Sequence, residues 1–162
     1  MIEVKVSTPE DAVRLAPLLR EADRQELLAG SGEEPLEALI NGIELSCCCM
    51  SAHIEGEIVG MFGVVPNREV LEDMGIPYGV VWFLGSDRAT ENPREFMRVS
   101  RMWLESFKEN FFALGNLVDA RNNVHIKWLK AMGFEFTNVH TNYGFKGKTF
   151  LEFILPCKEE AC

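Results

Sequence analysis

The stretch YGVVWFLGSDRATENPREFMRVSRMWLESF, from Tyr78 to Phe107, decides how the rest of the chain reads. Tyr78 to Gly85 is almost wholly apolar, which suits a strand buried on both faces. Asn92-Pro93-Arg94-Glu95 is the clearest helix start in the sequence: Asn92 can cap, Pro93 fits the first position, and Glu95 can reach back to close a capping box. Phe96, Val99, Trp103 and Phe107 then mark one face of a long helix. Ser86 and Asp87 end the strand, where ligands of α/β layers collect; they serve equally well to satisfy the backbone of a strand-to-helix turn.

Upstream, IEVKV alternates as a strand should. Thr8-Pro9-Glu10-Asp11 opens a helix carrying Ala12, Val13, Leu15, Ala16, Leu19 and Ala22, with Pro17 placed to kink or divide it. A second helix begins near Pro35, with Leu36, Leu39, Ile40 and Ile43 on one face. CCCMSAHI and IVGMFGVV then form a hairpin about Glu55-Gly56-Glu57. Pro66 to Pro77 is polar and reads as a loop. Downstream come a short strand, ALGNLVDA, a helix from Asn122 or Asn123 to Met132 closed by Gly133, and two strands, FEFTNVHTNY and KTFLEFIL. The order is β-α-α-β-β-β-α-β-α-β-β, without internal repeat or long linker, so residues 1–162 read as a single domain.

Composition narrows the function classes. Sixteen Lys and Arg against 25 Asp and Glu give a net charge of -9. So acidic a chain is poorly suited to nucleic-acid backbones or anionic membranes. No apolar run has the length of a membrane-spanning helix, and the N-terminus lacks a signal-peptide pattern. The five cysteines include Cys47, Cys48 and Cys49 in succession, with Cys157 and Cys162 near the C-terminus. That is neither a disulfide framework nor a metal-ligand spacing, and it points to a reducing cytoplasm and no metal site. Glu10, Asp11, Glu21, Asp23, Glu26, Glu33, Glu34 and Glu37 read as a solvated face, or as an attractor for a basic partner or amine substrate. Trp82, Trp103 and Trp128 read as core, with one of them able to line a cleft.

The element order, the hairpin HIEGEIVGMFGV, the strand leading into the long helix, and the run from Asn122 to Leu129-Lys130-Ala131-Met132-Gly133-Phe134 together resemble the GNAT N-acetyltransferase superfamily. The resemblance implies an α+β fold of α/β/α type, with a mixed, mostly antiparallel central sheet flanked by helices. It also implies acetyl-CoA or CoA as cofactor, an amine as acceptor, and transfer of an acyl group between them. Val81-Trp82-Phe83-Leu84-Gly85-Ser86-Asp87 and Asn122-Asn123-Val124-His125-Ile126-Lys127-Trp128-Leu129-Lys130 are similar to segments of the phage internal virion protein A family. That likeness implies a phage or prophage origin, a virion or host protein as partner, and a location in the host cytoplasm or virion interior.

On the GNAT resemblance, Phe83, Leu84, Gly85, Arg88, Thr90, Asn92 and Asn122 are the cofactor-binding candidates. The fold's pyrophosphate loop resembles R/Q-x-x-G-x-G/A, where glycines let backbone N–H groups crowd the phosphates at a helix start. Here the loop is Arg88-Ala89-Thr90-Glu91-Asn92-Pro93: Arg88 fits, while Glu91 and Pro93 stand at the glycine positions. Many members carry an acidic tyrosine on the later helix; counting back four from Gly133 gives Leu129, and neither Tyr78 nor Tyr143 matches. Ser86, Asp87 and His125 are the substitutes for catalysis, with Cys47–Cys49 behind them. The sequence therefore favours a GNAT-like protein that has lost efficient catalysis and acts through protein contacts. The alternatives are an acetyl-CoA-dependent N-acetyltransferase with an atypical loop, or a binder of another small molecule in the same cleft.

Overall fold

The computed structural model describes residues 1–158; Cys162 lies outside them. The elements are β1 (Ile2–Val6), α1 (Pro9–Leu15), α2 (Glu21–Gly30), α3 (Pro35–Leu45), β2 (Cys48–Ile54), β3 (Glu57–Pro66), α4 (Arg68–Met74), β4 (Tyr78–Gly85), α5 (Pro93–Lys108), β5 (Ala113–Asp119), α6 (Asn123–Ala131), β6 (Glu135–Tyr143) and β7 (Lys148–Pro156). The strands form one sheet in the order β1-β2-β3-β4-β5-β7-β6. Every neighbouring pair is antiparallel except β4 and β5. This is the mixed, mostly antiparallel sheet the sequence implies.

Two apolar layers sandwich the sheet. Leu15 of α1 and Leu39 of α3 pack on Ile58, Met61 and Leu84 on one face. Leu104 and Phe107 of α5 and Leu129 of α6 pack on Val64, Leu114, Val118 and Phe153 on the other. Burial of these side chains is the main stabilising contribution, at about 1.5–3 kcal/mol each.

Two local outcomes differ from the sequence reading, and a third follows it. Pro66 to Pro77 is not all loop: Asn67 caps α4 with its side chain on the Val70 N–H, and Gly75 closes it in the left-handed region at φ 66°. The capping-box partner expected at Glu95 looks elsewhere, because its carboxylate accepts the Ile2 N–H of β1 at 2.7 Å. Pro17 does divide the first helix. A short 3-10 turn, Ala16–Leu18, follows α1, and Arg24 of α2 reaches back to the carbonyls of Ala16 and Leu19. Leu19 and Arg20 are thereby left extended and run beside the end of β4, with the Arg20 N–H donating to Gly85 O at 2.9 Å.

The parallel pair is short. Its register covers only Tyr78↔Ala113, Gly79↔Leu114 and Val80↔Gly115. Glycine at 115 allows the close approach, since a Cβ there would collide with the Tyr78 hydroxyl and the Phe153 carbonyl oxygen. Gly115→Ala is expected to destabilise the fold by about 1–3 kcal/mol, read as a Tm lowered by roughly 2–4 °C for each kcal/mol. An unchanged Tm would show that the strands do not need this spacing.

Candidate functional site

Beyond Val80 and Gly115 the two parallel strands diverge. Asn116 ends the ladder: its Nδ2 donates to Val81 O at 2.9 Å, and its Oδ1 accepts the Leu117 N–H at 2.7 Å. One side chain thus takes up the backbone groups that a further rung would have used. Alternation along β4 turns the peptide groups of Val81, Phe83 and Gly85 toward the opening.

The far ends of the opening are held by α2. Asp23 accepts the Gly85 N–H of β4 at 3.1 Å, and Glu26, three residues on and on the same helix face, accepts the Asp119 N–H of β5 at 2.7 Å. Asp23 is 0% exposed and is neutralised by a bidentate Arg20, at 2.7 and 3.3 Å. Asn122 also donates to Asp23, at 3.4 Å, while its Oδ1 caps α6 on the His125 N–H. The solvated-face reading of the acidic residues therefore fails at Asp23 and Glu26: helical spacing shows which residues share a face, not that a break at Pro17 turns that face onto two strand ends.

Glu26 has no such cation. Burial lifts its carboxyl to about 7, and the neighbouring Asp23 and Asp119 charges add to the rise against the Asp119 N–H and Asn122, which favour the anion. His125 moves the other way. It is 8% exposed, and burial lowers its imidazole to about 4, with Arg20 adding to the drop and Asp23 opposing it. His125 is therefore neutral at neutral pH and cannot serve there as the imidazolium acid that the sequence allowed.

Two cavities meet at the opening. On the α2–α3 side a cavity of about 280 Å³ is lined by Glu26, Glu33, Asn41 and Asn116 together with apolar residues. On the α5–α6 side one of about 80 Å³ is almost entirely apolar, walled by Phe62, Phe96, Trp103 and Trp128. Val81, Trp82, Phe83, His125 and Phe153 line both. Among the described residues, four buried side-chain polar atoms have no hydrogen-bond partner, and three of them belong to residues of the apolar cavity: Trp103 Nε1, Trp128 Nε1 and His125 Nδ1. Buried donors without partners are rare and call for an explanation. Trp82, by contrast, donates to Ser46 Oγ at 2.9 Å.

The sequence candidates divide accordingly. Phe83, Asn122 and His125 come together at the opening. Leu84 belongs to the core under α1 and α3 and also lines the larger cavity, and both peptide groups of Gly85 are taken by Asp23 and Arg20. Ser86 Oγ donates to Val59 O, and Asp87 opens a 3-10 turn, Asp87–Thr90; neither residue lines either cavity. Thr90 donates within that turn to Asp87 O, and Asn92 caps α5 on the Glu95 N–H. Arg88 bonds Glu55 at 2.7 Å, bonds Glu57, and lies 3.8 Å from Glu91. Three carboxylates therefore surround the guanidinium that the resemblance assigns to phosphate. Glu26 was missed as a site residue because nothing in sequence marks a carboxylate that tertiary structure will bury.

No family model matches the chain, and no curated protein matches it in sequence. Solved structures do match over its whole length. It is similar to an acetyltransferase of the GNAT family from Streptococcus pneumoniae, at 13% identity and TM-score 0.65 over 96% of this chain and 99% of that one. The ribosomal-protein-alanine N-acetyltransferase of Brucella melitensis matches at 17% identity and TM-score 0.72 over 95% and 99%. The protein yncA of Salmonella typhimurium, solved with its cofactor acetyl-CoA, matches at 11% identity and TM-score 0.71 over 100% and 97%. The chain has the GNAT acyl-CoA N-acyltransferase fold.

His125 sets a pH signature. Its folded value, about 4, lies below the ordinary 6.5, so the unfolded chain takes up a proton in this range that the folded chain refuses. The contribution is fully present above pH 6.5 and is lost as pH falls toward 4, a difference of roughly 3 kcal/mol. Glu26 slopes oppositely over much of the same range, so the comparison must be with a variant. Tm measured from pH 7 to pH 4 is expected to fall less steeply in His125→Gln than in the parent; parallel profiles would contradict a neutral, buried imidazole.

Proposed function

We propose that the protein transfers an acyl group from a pantetheine thioester to an amine across the opening between β4 and β5. The observation that carries this reading is the junction at Phe83 and His125 of two unlike cavities. One is almost entirely apolar and lined by residues with unpartnered donors; the other sets two carboxylates and two amides among apolar residues.

The pantetheine end of acetyl-CoA fits the residues present. Trp103, Trp128 and the Phe83 peptide would hold it, offering N–H donors to amide carbonyls between apolar walls. Bound there, it supplies an activated acyl carbon. On the other side Glu26 and Glu33 favour a cationic amine. Glu26, poised near neutrality, takes the proton that the amine must lose before its nitrogen can attack. Net, a C–N bond replaces a C–S bond and the amine's proton ends on the departing sulfur. Asp23, locked to Arg20, holds the charge and shape of the site.

This reading is preferred to a role in a virion or on a host protein. The likeness of Val81–Asp87 and Asn122–Lys130 to a phage family covers residues that line the opening, including Phe83, His125 and Trp128. Acyl transfer accounts for those residues, and the structural neighbours carry acetyltransferase names.

Glu26→Gln keeps an acceptor for the Asp119 N–H and removes the base. With acetyl-CoA and a panel of primary amines and peptides, thiol release is expected to fall about 10²-fold or more. In the parent, activity is expected to rise with pH through about 7. Because the folded carboxyl lies above its ordinary 4.5, ionising Glu26 costs stability as pH rises from 4.5 through about 7. The variant escapes that cost, so at alkaline pH it is expected to be more stable by about 1–3 kcal/mol. Undiminished turnover in the variant would remove Glu26 from the chemistry.

A further inference from the structure

The turn before α5 carries an excess of carboxylate, while the space beside it is apolar and uncharged. Several donors of the segment between β4 and α5 are already engaged: the Ala89 N–H bonds Ser86 O, the Glu91 N–H bonds Arg88 O, and the Glu95 N–H bonds Asn92 Oδ1. Pro93 has no N–H to offer. The one cation of the turn, Arg88, is enclosed by Glu55, Glu57 and Glu91, so the local balance is negative. An anion brought there would meet excess carboxylate and would have to break hydrogen bonds already made.

Behind that turn lies the opposite chemistry. The indole nitrogens of Trp103 and Trp128 are buried without partners, and both residues line the apolar cavity together with Phe83. Phe96 and Trp128 meet across α5 and α6 with ring centroids 5.3 Å apart, and each lies within 5.5 Å of the Phe83 ring. A ligand suited to this slot is a neutral chain bearing carbonyl acceptors. At about 80 Å³ the cavity holds part of such a chain.

Resting on the acyl-transfer reading, we propose that the donor is recognised by its pantetheine arm alone, with no contribution from the diphosphate of CoA. The donor class is then a pantetheine thioester, either free or carried on the phosphopantetheine arm of a carrier protein.

The three tryptophan indole N–H signals provide the assay. In an NMR titration, CoA and pantetheine are each expected to shift the Trp103 and Trp128 signals, with dissociation constants within fivefold of each other. Trp82, already bonded to Ser46, serves as the internal control. Trp128→Phe keeps the ring and removes the donor, and is expected to weaken both ligands alike by roughly five- to tenfold. CoA binding five or more times tighter than pantetheine would overturn the proposal and leave the acyl-transfer reading standing. No shift with either at millimolar concentration would overturn both. A third titration, with a phosphopantetheinylated carrier protein, separates the sources: binding tighter than free pantetheine assigns the carrier, and equal or weaker binding assigns the free thioester.

Discussion

Two carboxylates on one turn of α2 hold the site open. Diverging strands leave backbone N–H groups that no neighbouring strand satisfies, and an unpaired buried peptide group is costly. Asp23 meets this need at Gly85 on β4, and Glu26 meets it at Asp119 on β5. The two acceptors are three residues apart, so the helix fixes the distance between the strand ends. Asn116 does the same at the closed end. The opening is therefore braced at both ends by side-chain acceptors and donors, and the cavities on either face follow from it.

The two carboxylates are not equivalent. Arg20 neutralises Asp23, and the ion pair is sealed by Asn122 and the Gly85 peptide. Glu26 faces a cavity and has other carboxylates for neighbours. Two carboxylates three residues apart thus meet different surroundings: one is held by an arginine, and the other is lifted by burial to about 7. A perturbed carboxyl beside a cavity is characteristic of acid–base sites.

Much of the fold was legible in the sequence, because it rests on periodicity and caps. The buried strand 78–85, the helix from Pro93 and the hairpin at Gly56 are local patterns, and the structure has them. The helix α4 escaped notice because its seven residues bury no side chain and so leave no apolar stripe to read. The site was only half legible. Asn122 and His125 stood out by position and type. Glu26 did not, since its importance depends on the turn at Pro17 and on where two distant strands end. The surroundings of Arg88 were hidden for a related reason: its partners, Glu55 and Glu57, lie some thirty residues away in the hairpin of β2 and β3.

The charge of the whole molecule bears on the same question as the turn before α5. With 25 acidic residues against 16 basic ones, the field around the protein draws cations and repels anions. An amine acceptor gains from this on approach. A strongly anionic donor loses by it, and then finds at the helix start an arginine already engaged by carboxylates. Where the fold depends on a diphosphate, a positive loop offsets such long-range repulsion. Here the local and the global electrostatics have the same sign. On the proposed reading, the binding free energy for a donor comes from the uncharged slot between α5 and α6, through aromatic burial and the unpartnered indole donors.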